Sequence, residues 1–233
     1  MDTLGDLTAS RTETVRTFTE RVGAVSAAGG TGEVTVTALP GQRELRVRTL
    51  VHDGWTRART SAEVVGGELR LRSECEGGGW LSPCETSWEV TVPEGLALDL
   101  RTGTGDQLLT GTFGAVTARA GTGDVRWDGT GTSLDAQTGT GELHLDGDVA
   151  RVSARTGTGD VEARFTRPPE AVDVTAGTGD VTLALPEVVG GYDATTSSGT
   201  GEQRVDPPLL ERDSPRRVQV RTSTGDAQVL VLP

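Results

Sequence analysis

The sequence predicts an all-β protein: a parallel β-solenoid (β-helix-like) repeat array preceded by an N-terminal β cap. Three observations predict it. A Gly-Thr-Gly-acid tetrapeptide recurs at near-constant spacing, apolar residues around each copy alternate with polar ones, and residues 99–233 show no helical period. The 233 residues suffice to bury a sizeable core, and an aromatic content of only 3% suits a narrow interior filled by small aliphatics.

Taken in chain order, residues 1–19 read as a polar, Thr-rich tail or linker. Residues 20–98 read as the N-terminal β cap, with strands expected around Val34 and Val36, Leu45 to Val51, Val64 to Leu71 and Trp88 to Val92. Pro40-Gly41, Asp53-Gly54 and Gly66-Gly67 separate them, and Pro93-Glu94-Gly95 makes a turn before the array. Gly30-Thr31-Gly32-Glu33 stands as an isolated early copy of the repeat motif, and Gly66-Gly67-Glu68 reads as a degenerate one. A solenoid's open end exposes apolar side chains and unpaired backbone, so this segment is expected to close it and to include a first coil.

Residues 99–233 read as the array, with repeats of about 18–24 residues. The acids of its turns are Asp106, Asp124, Glu142, Asp160, Asp180, Glu202 and Asp226, spaced 18, 18, 18, 20, 22 and 24 apart. Val116, Ala118 and Ala120 lead into one turn, and Val125 and Trp127 leave it; later copies repeat the scheme. Each repeat is therefore strand, Gly-rich turn, strand and a second bend. Coils are preferred over hairpins because parallel stacking in register at about 4.8 Å explains why one residue type recurs at one place in every copy. The two glycines permit positive φ on either side of the threonine, and the acid can accept hydrogen bonds from turn amides. Carboxylates stacked this closely repel, and Arg101, Arg119, Arg155 and Arg221, each two residues before a motif, are expected to neutralise the row.

Cys75 and Cys84 are the only cysteines, and they enclose a Gly-rich loop. A disulfide explains the pair best, and free thiols are the alternative. A zinc site is disfavoured, because His52 and His144 complete no ligand spacing with them. A disulfide implies an oxidising compartment. Met1-Asp2-Thr3-Leu4, however, begins no signal peptide, and no apolar run reaches the length of a membrane helix.

Composition excludes more than it assigns. All 22 basic residues are Arg, Lys, Ile and Asn are absent, and the net charge is −12. A nucleic acid or an anionic membrane surface is not an expected partner, since both select basic patches. No nucleophile elbow, zinc-protease helix or Walker loop is present; each Gly-Thr-Gly-acid turn leads into a strand, with no Lys or helix to hold a phosphate. His52 and His144 read as ordinary surface residues, and no acid–base pair stands out among so many repeated carboxylates. No enzyme activity, catalytic residue or cofactor is expected. Calcium is the one metal weighed, from the likeness to the nonapeptide β-roll, and it is disfavoured because that fold needs a Gly-rich acidic turn every nine residues.

The motifs at Arg119 to Val125 and Arg155 to Val161, with the lead-in Cys75, Cys84 and Trp88-Glu89-Val90-Thr91-Val92-Pro93, carry a resemblance. Over roughly residues 20–233 the chain resembles a family of adhesin-type domains with β-strand repeats, domains of unknown function common in actinobacteria and firmicutes. The resemblance implies a repetitive β domain displayed outside the cell behind a membrane anchor, which this sequence does not itself show, and it brings no catalytic residues. The function expected is a non-catalytic, extracytoplasmic, adhesin-like or envelope-associated interaction domain whose partner is a protein or cell-envelope ligand. A cytoplasmic scaffold that assembles end to end is the alternative.

Overall fold

A computed structural model describes residues 10–53, 57–75 and 84–232. The described residues are all-β, with nineteen strands in one hydrogen-bonded network. In chain order these are β1 (Ser10–Phe18), β2 (Ala24–Thr31), β3 (Val34–Leu39), β4 (Leu45–Asp53), β5 (Ala58–Val65), β6 (Glu68–Cys75) and β7 (Glu85–Pro93). The repeats follow as β8 (Ala97–Thr104), β9 (Gln107–Thr112), β10 (Ala115–Thr122), β11 (Val125–Thr140), β12 (Leu143–Thr158), β13 (Val161–Phe165), β14 (Ala171–Thr178) and β15 (Val181–Leu185). The chain ends with β16 (Asp193–Thr200), β17 (Gln203–Val205), a 3-10 turn at Pro207–Leu209, β18 (Arg217–Thr224) and β19 (Ala227–Val231).

Each Gly-Thr-Gly-acid turn joins a strand of one face to a strand of the other, and we call such a strand pair a rung. Neighbouring rungs pair in parallel on both faces. Val116 is flanked by Leu98 and Leu134, and Val125 by Gln107 and Leu143. Alternation with period two therefore builds stacked interior rows. Leu98, Val116, Leu134, Val152, Val172 and Val218 form one, Leu109, Trp127, Leu145, Ala163, Leu183 and Val229 another, and all are buried in a single apolar cluster. β11 and β12, of 16 residues each, run from one face into the other.

Rung order departs from chain order at both ends. The isolated early motif is a full rung: β2–β3 lies between β6–β7 and β8–β9, in register with both. At the far end β18–β19 lies between β14–β15 and β16–β17, so the chain's last strands are the penultimate rung. Gly66-Gly67 is not a degenerate repeat turn. It connects β5 to β6 as an antiparallel hairpin, for which both glycines adopt positive φ, +62° and +80°. Ser10–Phe18, expected within the tail, pairs antiparallel with β4, which pairs antiparallel with β7. Antiparallel strands thus close the N-terminal end on both faces, and Arg48 ties three of them through Glu13 (2.8 Å) and Glu89 (2.9 Å).

A disulfide joins Cys75 to Cys84 in the β6–β7 rung, at the place where other rungs make their glycine turn. The loop it encloses lies outside the described residues. At the C-terminal end Tyr192 and Leu209 are fully buried, the tyrosine hydroxyl donating to the Pro186 carbonyl at 3.0 Å. Burial raises the Tyr192 pKa.

Candidate interaction surface

The turns bring every sequence-predicted acid to one edge of the molecule. From rung to rung the order is Glu33, Asp106, Asp124, Glu142, Asp160, Asp180, Asp226 and Glu202. Directly before them runs a row of eight exposed threonines in strict register: Thr31, Thr104, Thr122, Thr140, Thr158, Thr178, Thr224 and Thr200. Seven inter-strand spacings make this ridge roughly 34 Å long. The extra residues of the longer repeats fall at the opposite bends, around 166–170, 186–192 and 206–216, so the ridge keeps its register.

Seven of the eight motifs carry both glycines, which serve different ends; the motif at Thr224 has Ser223 in the first place. Only the second has positive φ, as at Gly123 (+136°), Gly141 (+148°) and Gly159 (+136°). The first is needed for close approach: a Cβ on Gly121, Gly139 or Gly157 would strike the carbonyl of the first glycine one rung earlier. Bare backbone therefore flanks every threonine of the row on both sides except Thr224, which follows Ser223.

The acids are held by a hydrogen-bond ladder. Asp106 Oδ1 accepts from the Asp124 amide (2.8 Å), Asp124 from Glu142 (2.9 Å), Asp160 from Asp180 (2.8 Å), Asp180 from Asp226 (2.8 Å) and Asp226 from Glu202 (2.8 Å). The ladder skips where Glu replaces Asp. No such bond runs from Glu33 to the Asp106 amide or from Glu142 to the Asp160 amide among the described residues, since the longer side chain overshoots a donor one strand away. Beneath the ridge, Thr138 and Thr156 donate to the carbonyls of Gly123 (2.8 Å) and Gly141 (3.0 Å).

The expected arginine compensation does not occur. Arg101 pairs with Asp99 (3.0 Å), Arg119 with Asp135 (2.7 Å), Arg155 with Asp135 (4.0 Å) and Arg221 with Asp173 (3.6 Å). All are neighbours on the flat outer face, because residues two apart in a strand project to the same side. Among the described residues, the one arginine that meets a turn acid on the ridge is Arg126, 3.4 Å from Asp124. His144 lies 3.7 Å from Glu142 and 3.9 Å from Glu162. Among the described residues no three His, Cys, Asp or Glu side chains gather as a metal site.

Comparison with known proteins follows this geometry. A family model described as Toastrack DUF4097 matches residues 116–232, just over half of the chain. No curated protein matches by sequence. The fold is similar to that of a candidate adhesin from Bacteroides fragilis, with TM-score 0.54 and 14% identity over 95% of this chain and 99% of that one. A candidate cell-adhesion protein from Clostridium sporogenes gives TM-score 0.45 and 11% identity over 96% and 100% of the two chains. A candidate lipid-binding protein from Parabacteroides distasonis gives 0.49 and 9% over 95% and 97%.

Proposed function

Because the chain belongs to the Toastrack DUF4097 family, we propose that it is a non-catalytic, extracytoplasmic interaction domain of adhesin type, built as a β-solenoid that presents its ridge to a protein or cell-envelope ligand. The observation that carries this reading is the ridge: eight exposed threonines in register, seven of them set between two glycines, beside a row of acids. Repetition at one spacing suits a partner that is itself extended or repetitive, since many weak contacts then add along its length. The Cys75–Cys84 disulfide supports an oxidising setting. The similarity in fold to the candidate adhesin from Bacteroides fragilis agrees with adhesion.

The test is binding of the purified chain to cell-wall material and to surface-protein preparations. Thr140→Ala alone should weaken binding by a small factor, and Thr122, Thr140 and Thr158 changed together should weaken it far more. Loss of all binding on one substitution, or substrate turnover dependent on one carboxylate, would replace the distributed surface with a discrete site.

A further inference from the structure

The two ends of the rung stack are finished differently. At the N-terminal end the edge strands carry charge: Arg59 and Glu63 on β5, and Arg11, Glu13 and Arg16 on β1. Charged edge strands discourage further pairing. At the C-terminal end β16 pairs with β18 and with no other strand among the described residues, and from Ala194 to Thr200 it reads Ala-Thr-Thr-Ser-Ser-Gly-Thr, with no charge and no proline.

Its backbone is open on the outer side. The Tyr192 amide and carbonyl face outward, where Leu209 and Glu211 bond them, and the Asp193 amide faces inward to Arg216. Alternation then turns the backbone groups of Ala194, Thr196 and Ser198 outward, where no described strand meets them. In inner rungs the amides equivalent to Gly201 and Gln203 donate to the next rung, as Gly105 does to Thr122 and Gln107 to Asp124. In the last rung they face no further rung. Beside this edge lies a recess of about 630 Å³ between Tyr192–Thr195 and Leu210–Asp213.

We propose that β16 pairs antiparallel with β16 of a second copy of this chain, about a two-fold axis at Ser197. Three features select a second copy in this orientation. From Ala194 to Thr200 the edge carries no charge, so two chains of net charge −12 meet there without like charges along the paired segment, although Asp193, Glu211, Arg212 and Asp213 line the recess beside it. Centring on Ser197 places Thr196 opposite the partner copy's Ser198 in a pair that exchanges both backbone hydrogen bonds, and Thr–Ser neighbours suit antiparallel ladders. The same centring directs Gly199, which has no side chain, toward the recess. Such an interface is isologous and closes at two copies. It sets the two threonine ridges on opposite edges of the dimer, whereas parallel end-to-end growth would align them.

Sedimentation equilibrium across a wide concentration range tests the pairing independently of any ligand. The wild-type chain should form a dimer and nothing larger. Thr196→Pro removes an outward amide that β18 does not use, and Ser197→Lys sets two ammonium groups face to face at an exposed position. With folding verified by circular dichroism, each should weaken dimerisation about tenfold or more, Thr196→Pro through the loss of a symmetric pair of hydrogen bonds and Ser197→Lys through like-charge repulsion. Ser197→Cys should oxidise to a covalent dimer, because directly opposed residues of a non-hydrogen-bonded pair stand about 4.5 Å apart at Cα, within disulfide reach. A monomer at all concentrations, oligomers that keep growing, or a dimer unaffected by both substitutions would overturn the proposal.

Discussion

At the scale of single residues, the ridge distinguishes Asp from Glu although both carry the same charge. Asp124 reaches the amide of the next rung and Glu142 does not, so the difference is one methylene of length. Glu142→Asp should therefore stabilise the fold by about 1 kcal/mol by completing the bond to the Asp160 amide. Asp124→Ala should cost about as much, and Asp124→Asn less, because the amide oxygen still accepts. Urea unfolding midpoints check all three. Gly141 combines φ of +148° with a Cβ position that strikes the carbonyl of Gly123. Gly141→Ala should lose about 3 kcal/mol or more, seen as a large fall in melting temperature.

At the scale of elements, a rung is stable only when both of its ends are turned. The sequence between β6 and β7 carries no Gly-Thr-Gly-acid motif, and a disulfide between Cys75 and Cys84, nine residues apart, joins the two strands at that place. Reducing it, or replacing Cys75 and Cys84 with Ser, should destabilise the chain by roughly 2 to 3 kcal/mol, the loop-closure value for a short loop. Thermal melts with and without reductant measure this. The last rung is held in another way. Its inward positions Ala194, Thr196 and Ser198 are small and half-buried, and the apolar closure comes from Tyr192 and Leu209 at its flank. Leu209→Ala should cost about 2 to 5 kcal/mol, with hydrogen exchange accelerating first in β16 and β17.

At the scale of the whole molecule, 34 acidic residues against 22 arginines make low pH the relevant challenge. Among the described residues three carboxyls are held below their ordinary values: Glu13 by a hydrogen bond from Arg48, Glu68 by one from Ser26 and then Arg70, and Asp206 by the Val231 amide and then Arg204. A depressed folded pKa contributes stability that is complete above the unfolded value, near pH 4, and is lost as pH falls through the lower folded value. Stability should therefore be level near neutral pH and fall below about pH 4. Asp206→Asn should reduce that acid dependence, as read from urea midpoints measured along the pH series.

The rung was legible in the sequence because its requirements are local. Alternation around each motif set the inward rows, the glycines set the turn, and the spacing of the acids set the repeat. The Cys pair around a Gly-rich loop was readable for the same reason. The partners of each rung were not legible. Successive rungs carry nearly interchangeable interior residues, Val25, Leu98, Val116 and Leu134 among them, so local pattern makes a rung without choosing its neighbour. That choice falls to the ends. Between β3 and β6 the chain builds the antiparallel closing strands β4 and β5, and between β15 and β18 it builds the last rung, β16–β17, so β2–β3 and β18–β19 are enclosed between rungs that are not their chain neighbours. The arginines went astray for a related reason. Arg119 and the acid of its motif are near in sequence, but they lie on opposite sides of a bend, so its cation finds Asp135 on the neighbouring strand instead. Chain distance governs which strand and turn form, and distance in space, which the stack alone creates, governs which charges and edges meet.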